Sequence, residues 1–156
     1  MSGFVIRGLD PAPFAALYGL SDAALAEQGV VRMAVDARPG FPCRVSLEDV
    51  DIGETVLLLN HEHLPVETPY RQSHAIFIRE GAAEPARFEN AIPDQLAIRT
   101  LSLRAYDSDG MMTDADLVEG RELPALIDRF FADPAVAYLH AHNAKRGCFA
   151  ARIDRG

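Results

Sequence analysis

The stretch from Tyr138 to Ile153 restricts the fold of this chain most, because its pattern is that of a β-hairpin. Two runs of alternating side-chain type flank Ala144-Lys145-Arg146-Gly147, and Gly147 can take the positive φ that such a connection often needs. With Asn143 opposite Cys148, the two-residue period predicts Tyr138, His140, His142, Phe149, Ala151 and Ile153 on one face. Leu139, Ala141, Asn143, Cys148, Ala150 and Arg152 then fall on the other. Two histidines and a cysteine therefore gather near one turn.

A ribbon of this kind needs a sheet to join and a layer to cover it. Leu123, Leu126, Ile127, Phe130 and Phe131 recur at i, i+3, i+4, i+7 and i+8, which predicts an amphipathic helix over residues 121–132, stopped by Asp133-Pro134. Residues 4–6, 30–36, 43–47, 55–60, 73–79 and 96–106 carry strand patterns. In the last of these, Leu101, Leu103 and Ala105 take one face and Ser102, Arg104 and Tyr106 the other. Asp10-Pro11 and Ser21 start two short helices that Gly19 and Gly29 end. Residues 61–72, with two prolines, and 80–93 read as surface connections. Strands outnumber helices and adjoin through short turns. The expected class is therefore α+β, a largely antiparallel sheet with one amphipathic helix and short N-terminal helices packed on it. At 156 residues, one domain is the default.

Charge narrows the partners. A formal net charge of −8 with no run of Lys or Arg disfavours nucleic acid. No apolar run approaches the roughly 20 residues that cross a bilayer, and the first ten residues lack a signal-peptide pattern, so a soluble cytoplasmic protein is expected. In a reducing compartment Cys43 and Cys148 are expected as free thiols.

His140 and His142 project to one side of a strand and would chelate a metal if His61 or His63 approached. The set His61, His140 and His142 is the weak form of this idea. No H-E-x-x-H and no paired C-x-x-C occurs, His61-Glu62-His63 runs into Leu64-Pro65, and the pattern favours histidines filling half-buried polar positions. No cofactor is expected. Cys43, between Pro42 and Arg44, and Cys148, beside Gly147, are candidate reactive thiols, with His74 or His142 as a base, against the commoner role of free cysteine as a small buried hydrophobe. Asp107-x-Asp109-Gly110 is a turn, since a calcium loop would need glycine at Met112 and glutamate at Val118. Arg44, Arg71, Arg79, Arg104 and Arg152 stand in or beside strands. If several converge with Tyr70, Tyr106 or His142, they form a fork-shaped site for a carboxylate or phosphate. The expected ligand-binding set is Arg44, Tyr70, Arg71, Arg104, His142 and Asn143.

Pro42-Cys43-Arg44, then Pro69-Tyr70-Arg71 leading into Ala75-Ile76-Phe77-Ile78, then Arg104-Ala105-Tyr106-Asp107-x-Asp109-Gly110, and finally Asn143-Ala144-x-x-Gly147-Cys148-Phe149 follow one another along the chain. In that order they resemble the bacterial family catalogued as domain of unknown function 1203. The resemblance implies a small cytoplasmic bacterial protein and carries over no reaction, cofactor or catalytic residue. Three functions stay open: a domain binding a small anionic ligand, with or without a minor enzymatic activity; a non-enzymatic interaction module, such as a homodimer joined through apolar strands; and a metal or thiol site.

Overall fold

The alternating segments resolve into two antiparallel sheets in the computed structural model, which describes residues 3–156. In chain order these are β1 (Phe4–Arg7), α1 (Ala12–Ala15), α2 (Asp22–Glu27), β2 (Val31–Ala34), β3 (Thr55–Leu64), β4 (Gln72–Arg79) and β5 (Arg87–Glu89). There follow α3 (Asp94–Ala97), β6 (Thr100–Tyr106), β7 (Met112–Glu119), a 3-10 turn (Gly120–Glu122), α4 (Leu123–Phe131), β8 (Tyr138–Asn143) and β9 (Phe149–Arg155). The larger sheet runs β5-β1-β9-β8-β6-β7 and the smaller β2-β3-β4, every neighbouring pair antiparallel. The class is α+β. No helix of the described residues is long and apolar enough to cross a membrane.

The helical stripe does what its spacing implies: Leu123, Leu126, Ile127, Phe130 and Phe131 are all buried. They pack with Leu101, Leu103, Ala105, Leu139 and Ala141 on one face of the large sheet. At about 1.5–3 kcal/mol for each large apolar side chain buried, this contact is the main support of β6 and β8. A second core, with Phe14, Leu25, Leu57, Leu59, Ile76 and Ile78, lies under the small sheet and the N-terminal helices. The other face of β6, β8 and β9 is thereby left to meet the end of the small sheet.

Four local expectations are corrected, each for a nameable reason. Residues 43–47 are not a strand, because Leu47 adopts a φ of 54° and its amide bonds back to the Cys43 carbonyl at 3.1 Å. The segment instead joins both sheets: the Arg44 amide reaches the Phe77 carbonyl of β4 at 3.0 Å, while the Arg44 and Val45 carbonyls accept from Leu9 and Ala86 at 2.8 Å each. Residues 96–106 are not one strand, since Pro93-Asp94 starts α3 and pairing begins only at Thr100. His61-Glu62-His63 is not in a loop, because β3 continues to Leu64 and Pro65 ends it one residue too late to free the histidines.

The fourth correction concerns the hairpin. Its closure is as expected, with the Asn143 amide on the Cys148 carbonyl at 2.9 Å and Gly147 at φ 79°. A β-bulge between Ala141 and His142 changes the faces beyond it: His142 pairs with Phe149, but Ala141 pairs with Ala151 and His140 with Arg152. One extra residue on a strand inverts the alternation. Phe149 therefore stays beside the histidines. Ala151 and Ile153 pass to the α4 core, and Arg152 takes their place, its guanidinium carbon 4.2 Å from the Tyr138 ring centroid.

Candidate metal centre

The face of the large sheet turned away from α4 is built by register. On β6, Ser102, Arg104 and Tyr106 lie opposite His142, His140 and Tyr138 of β8. Directly opposed side chains in a sheet stand about 5 Å apart, so Arg104 and His140 are neighbours by construction. The hairpin adds Phe149, and the small sheet delivers His63 and His74. A bulge between His61 and Leu64, where β3 pairs with β4, brings His63 against His74, its Nε2 2.8 Å from His74 Nδ1. The two imidazole planes are nearly parallel, 14° apart, with centroids at 4.9 Å.

His63 Nδ1 then lies 3.4 Å from His140 Nδ1 across the two sheets. The His63 ring stacks on Phe149, with centroids 4.8 Å apart and planes 11° apart, and Phe149 meets His140 and His142 edge-on. His142 Nδ1 sits 3.0 Å from the Gly147 carbonyl. A carbonyl only accepts, so Nδ1 carries the proton and Nε2 holds a lone pair. That Nε2 is buried and has no partner among the described residues. His63, His140 and His142 are 8%, 1% and 0% exposed, and one nitrogen from each lies within 4.8 Å of the others.

Burial sets the charge of this cluster. It pushes His63 down to about 3, His140 to about 2 and His142 to about 3, with neighbouring imidazoles and Arg104 acting in the same direction. His74 is lowered by burial first and then by Arg104 and Arg44. All these rings are neutral at physiological pH. A neutral imidazole is the form that binds a metal.

The spacing of one pair of nitrogens also suits a metal, and the third histidine offers a nitrogen within 4.8 Å. A separation of 3.4 Å between His63 Nδ1 and His140 Nδ1 is longer than an ordinary hydrogen bond. It matches the ligand-to-ligand edge of about 3.3 Å in a tetrahedral site with Zn–N bonds of about 2.0–2.1 Å. His63 Nδ1, His140 Nδ1 and His142 Nε2 would be the three donors. Behind them the Gly147 carbonyl accepts from His142 Nδ1, and with His63 Nδ1 on a metal the His63 Nε2–H would donate to His74 Nδ1, the outer contact that orients metal-bound histidines.

Of the residues singled out from the sequence, the structure brings together His140, His142 and Arg104. Arg44 is 2% exposed and is spent on the carbonyls of Phe149 and Pro42 and on Cys148 Sγ, so it holds the hairpin from behind. Asn143 Nδ2 also contacts Cys148 Sγ, at 3.5 Å. Cys43 is buried under the amides of Val45, Ser46 and Arg79. Tyr70 is exposed, and Arg71 is exposed and paired with Glu62 at 2.8 Å. His61 packs edge-on against Phe14 rather than joining the set. His63, His74 and Tyr106, each also named from the sequence, stand in the cluster, and Phe149 joins them. A signal for His63 was present: Leu59, His61 and His63 continue one alternating series with Asn60 and Glu62 between them.

Comparison with known families matches a model described as Protein of unknown function (DUF1203) over residues 40–155. Neither curated proteins nor solved structures gave a match. The matched span contains every residue of the histidine cluster.

Proposed function

This chain belongs to the DUF1203 family of proteins of unknown function, and we propose that it holds a divalent transition-metal ion of the zinc class through His63, His140 and His142. The observation that carries this reading is that one ring nitrogen from each of three buried histidines converges within 4.8 Å, and that His142 Nε2 is buried without a partner among the described residues. Leaving a buried polar atom unpaired costs about 1–3 kcal/mol, and an ion at the centre would satisfy it together with its two neighbours. Three imidazoles and no thiolate or carboxylate suit zinc, copper, iron or nickel rather than calcium or magnesium. Three protein donors with one open position form the arrangement that, with zinc bound, makes a water molecule acidic enough to act near neutral pH. A cytoplasmic setting belongs to the proposal and is supported by Cys43 and Cys148 standing unbridged.

Titration of the metal-stripped full chain with Zn2+ against a chromophoric chelator tests the reading. One equivalent is expected to bind, and His140→Ala is expected to lower the affinity by more than about 100-fold, beyond the loss typical of an outer contact. Absence of binding, or equal binding by His140→Ala, would overturn it. His74→Ala removes only the acceptor behind His63, so a smaller loss of about 10–100-fold is expected in the same assay. Wild-type affinity in that variant would take His74 out of the site.

A further inference from the structure

An ion held by three neutral imidazoles keeps its full double charge, so its open position favours an anion. Arg104 stands on the same face of the sheet as His140 and His142. It lies opposite His140 in the sheet register, and its Nε contacts Ser102, which lies opposite His142. In a chain with 23 acidic residues, Arg104 has no carboxylate partner among the described residues, whereas Arg32 has two and Arg71 and Arg99 have one each. Its hydrogen bonds are two long ones, 3.3 Å to Ser102 Oγ and 3.3 Å to Gln72 Oε1. A half-buried guanidinium left this way has donors to spare.

A second orphan lies two residues further along the same face of β6. The Tyr106 hydroxyl is buried with no hydrogen bond of ordinary geometry; burial pushes its pKa up while the Arg104 guanidinium beside it pulls it down, and the Tyr106 ring meets His140 edge-on with centroids 5.2 Å apart. Burial also indicates an approach: His140, His142 and Phe149 form a closed floor, while Gln72, His74, Ser102 and Arg104 are only half-buried and form its rim. Arg104 and the Tyr106 hydroxyl stand on the same face of the β6–β8 pair as His140 and His142, and neither has a carboxylate partner among the described residues.

The geometry points to a small oxyanion, a carboxylate or phosphate group, bound between the metal's open position and the Arg104 guanidinium, with the Tyr106 hydroxyl as a further donor. This inference rests on the metal reading. Two oxygens on one carbon or phosphorus let the ligand meet the metal and the guanidinium at once, and the planar fork of Arg suits that better than a point charge.

The test uses the cobalt(II)-loaded full chain, whose visible absorption reports changes at the ion. Titration with acetate and, separately, with inorganic phosphate is expected to shift the bands saturably, and the arm that saturates at lower concentration identifies the class. Arg104→Gln is expected to weaken that response at least about tenfold. Its cobalt binding should be retained or tightened, since a cation has been removed from beside the ion. Arg104→Lys should recover part of the response. Bands unmoved by either anion, or equal responses in wild type and Arg104→Gln, would overturn the anion site alone. Failure of cobalt to bind at all would overturn the metal reading and this inference together.

Discussion

Taking the metal-free chain from pH 7 to pH 5 is expected to remove about 6 kcal/mol of folding stability, most of what a domain of this size possesses. The unfolded chain protonates its histidines near 6.5, whereas the folded chain holds His63 and His142 at about 3 and His140 at about 2. Above pH 6.5 both states are neutral at these positions and the stability is whole. Below it, the unfolded state takes up protons that the folded state refuses, and each histidine costs about 1.4 kcal/mol per pH unit. His61 and His74, shifted in the same direction, add to the loss. Carboxylates do not confuse this window: Glu80, held at about 2 chiefly by Arg32, starts to matter only as pH falls through its ordinary 4.5. Urea melts at half-unit steps of pH would measure the slope, expected near three protons. A midpoint that stays flat from pH 7 to pH 5 would show that the imidazoles are not buried as a group.

Replacing Arg44 by methionine is expected to cost about 2–4 kcal/mol, because two buried carbonyls lose their donor at about 1–3 kcal/mol each while the burial penalty of the charge is relieved. Methionine fills similar space and donates nothing. The Phe149 and Pro42 carbonyls and Cys148 Sγ would all lose the guanidinium. Burial works against the charge of Arg44, and the neighbouring Cys148 opposes that effect. The contact thus holds the hairpin to the segment between the sheets, at the residue whose ring stacks on His63. Thermal or urea denaturation of Arg44→Met measures the loss, and metal affinity should fall with it because Phe149 is no longer fixed. Arg44→Lys should recover only part, since a single ammonium cannot reach three acceptors. A variant as stable as wild type would mean that water satisfies those carbonyls without help.

Much of the architecture was legible because hydrophobic period dominates where a segment has one wet and one dry face. The α4 stripe, the β6 alternation and the hairpin closing at Gly147 all follow from that rule. It is silent where the backbone departs from its period. The bulge between Ala141 and His142 exchanges the faces of Ala151 and Arg152, and no residue type there announces it. The segment 43–47 looks like a strand because it is buried, yet its amides and carbonyls serve two sheets rather than one ladder. Edge strand β7, Met112–Glu119, is mostly exposed and acidic, a composition that protects an open edge and hides the strand from a hydrophobic pattern.

The site was half legible for a related reason. His140 and His142 share a face by local geometry alone, and Arg104 joins them by the alternation of β6. His63 arrives from 77 residues before His140 in the chain, across a junction between two sheets. Its placement depends on a strand running through His61-Glu62-His63 and on a second bulge, neither fixed by neighbours in sequence. Convergence of that kind is a property of tertiary packing.

Zinc K-edge X-ray absorption on the full chain loaded with one equivalent of metal tests the central claim most directly. The expected spectrum has nitrogen and oxygen neighbours at about 2.0 Å, no sulfur at about 2.3 Å, and the outer-shell scattering of three imidazole rings. A sulfur shell would assign the ion to Cys43 or Cys148. Fewer than two imidazoles would show that His63, His140 and His142 pack side by side without forming a metal site.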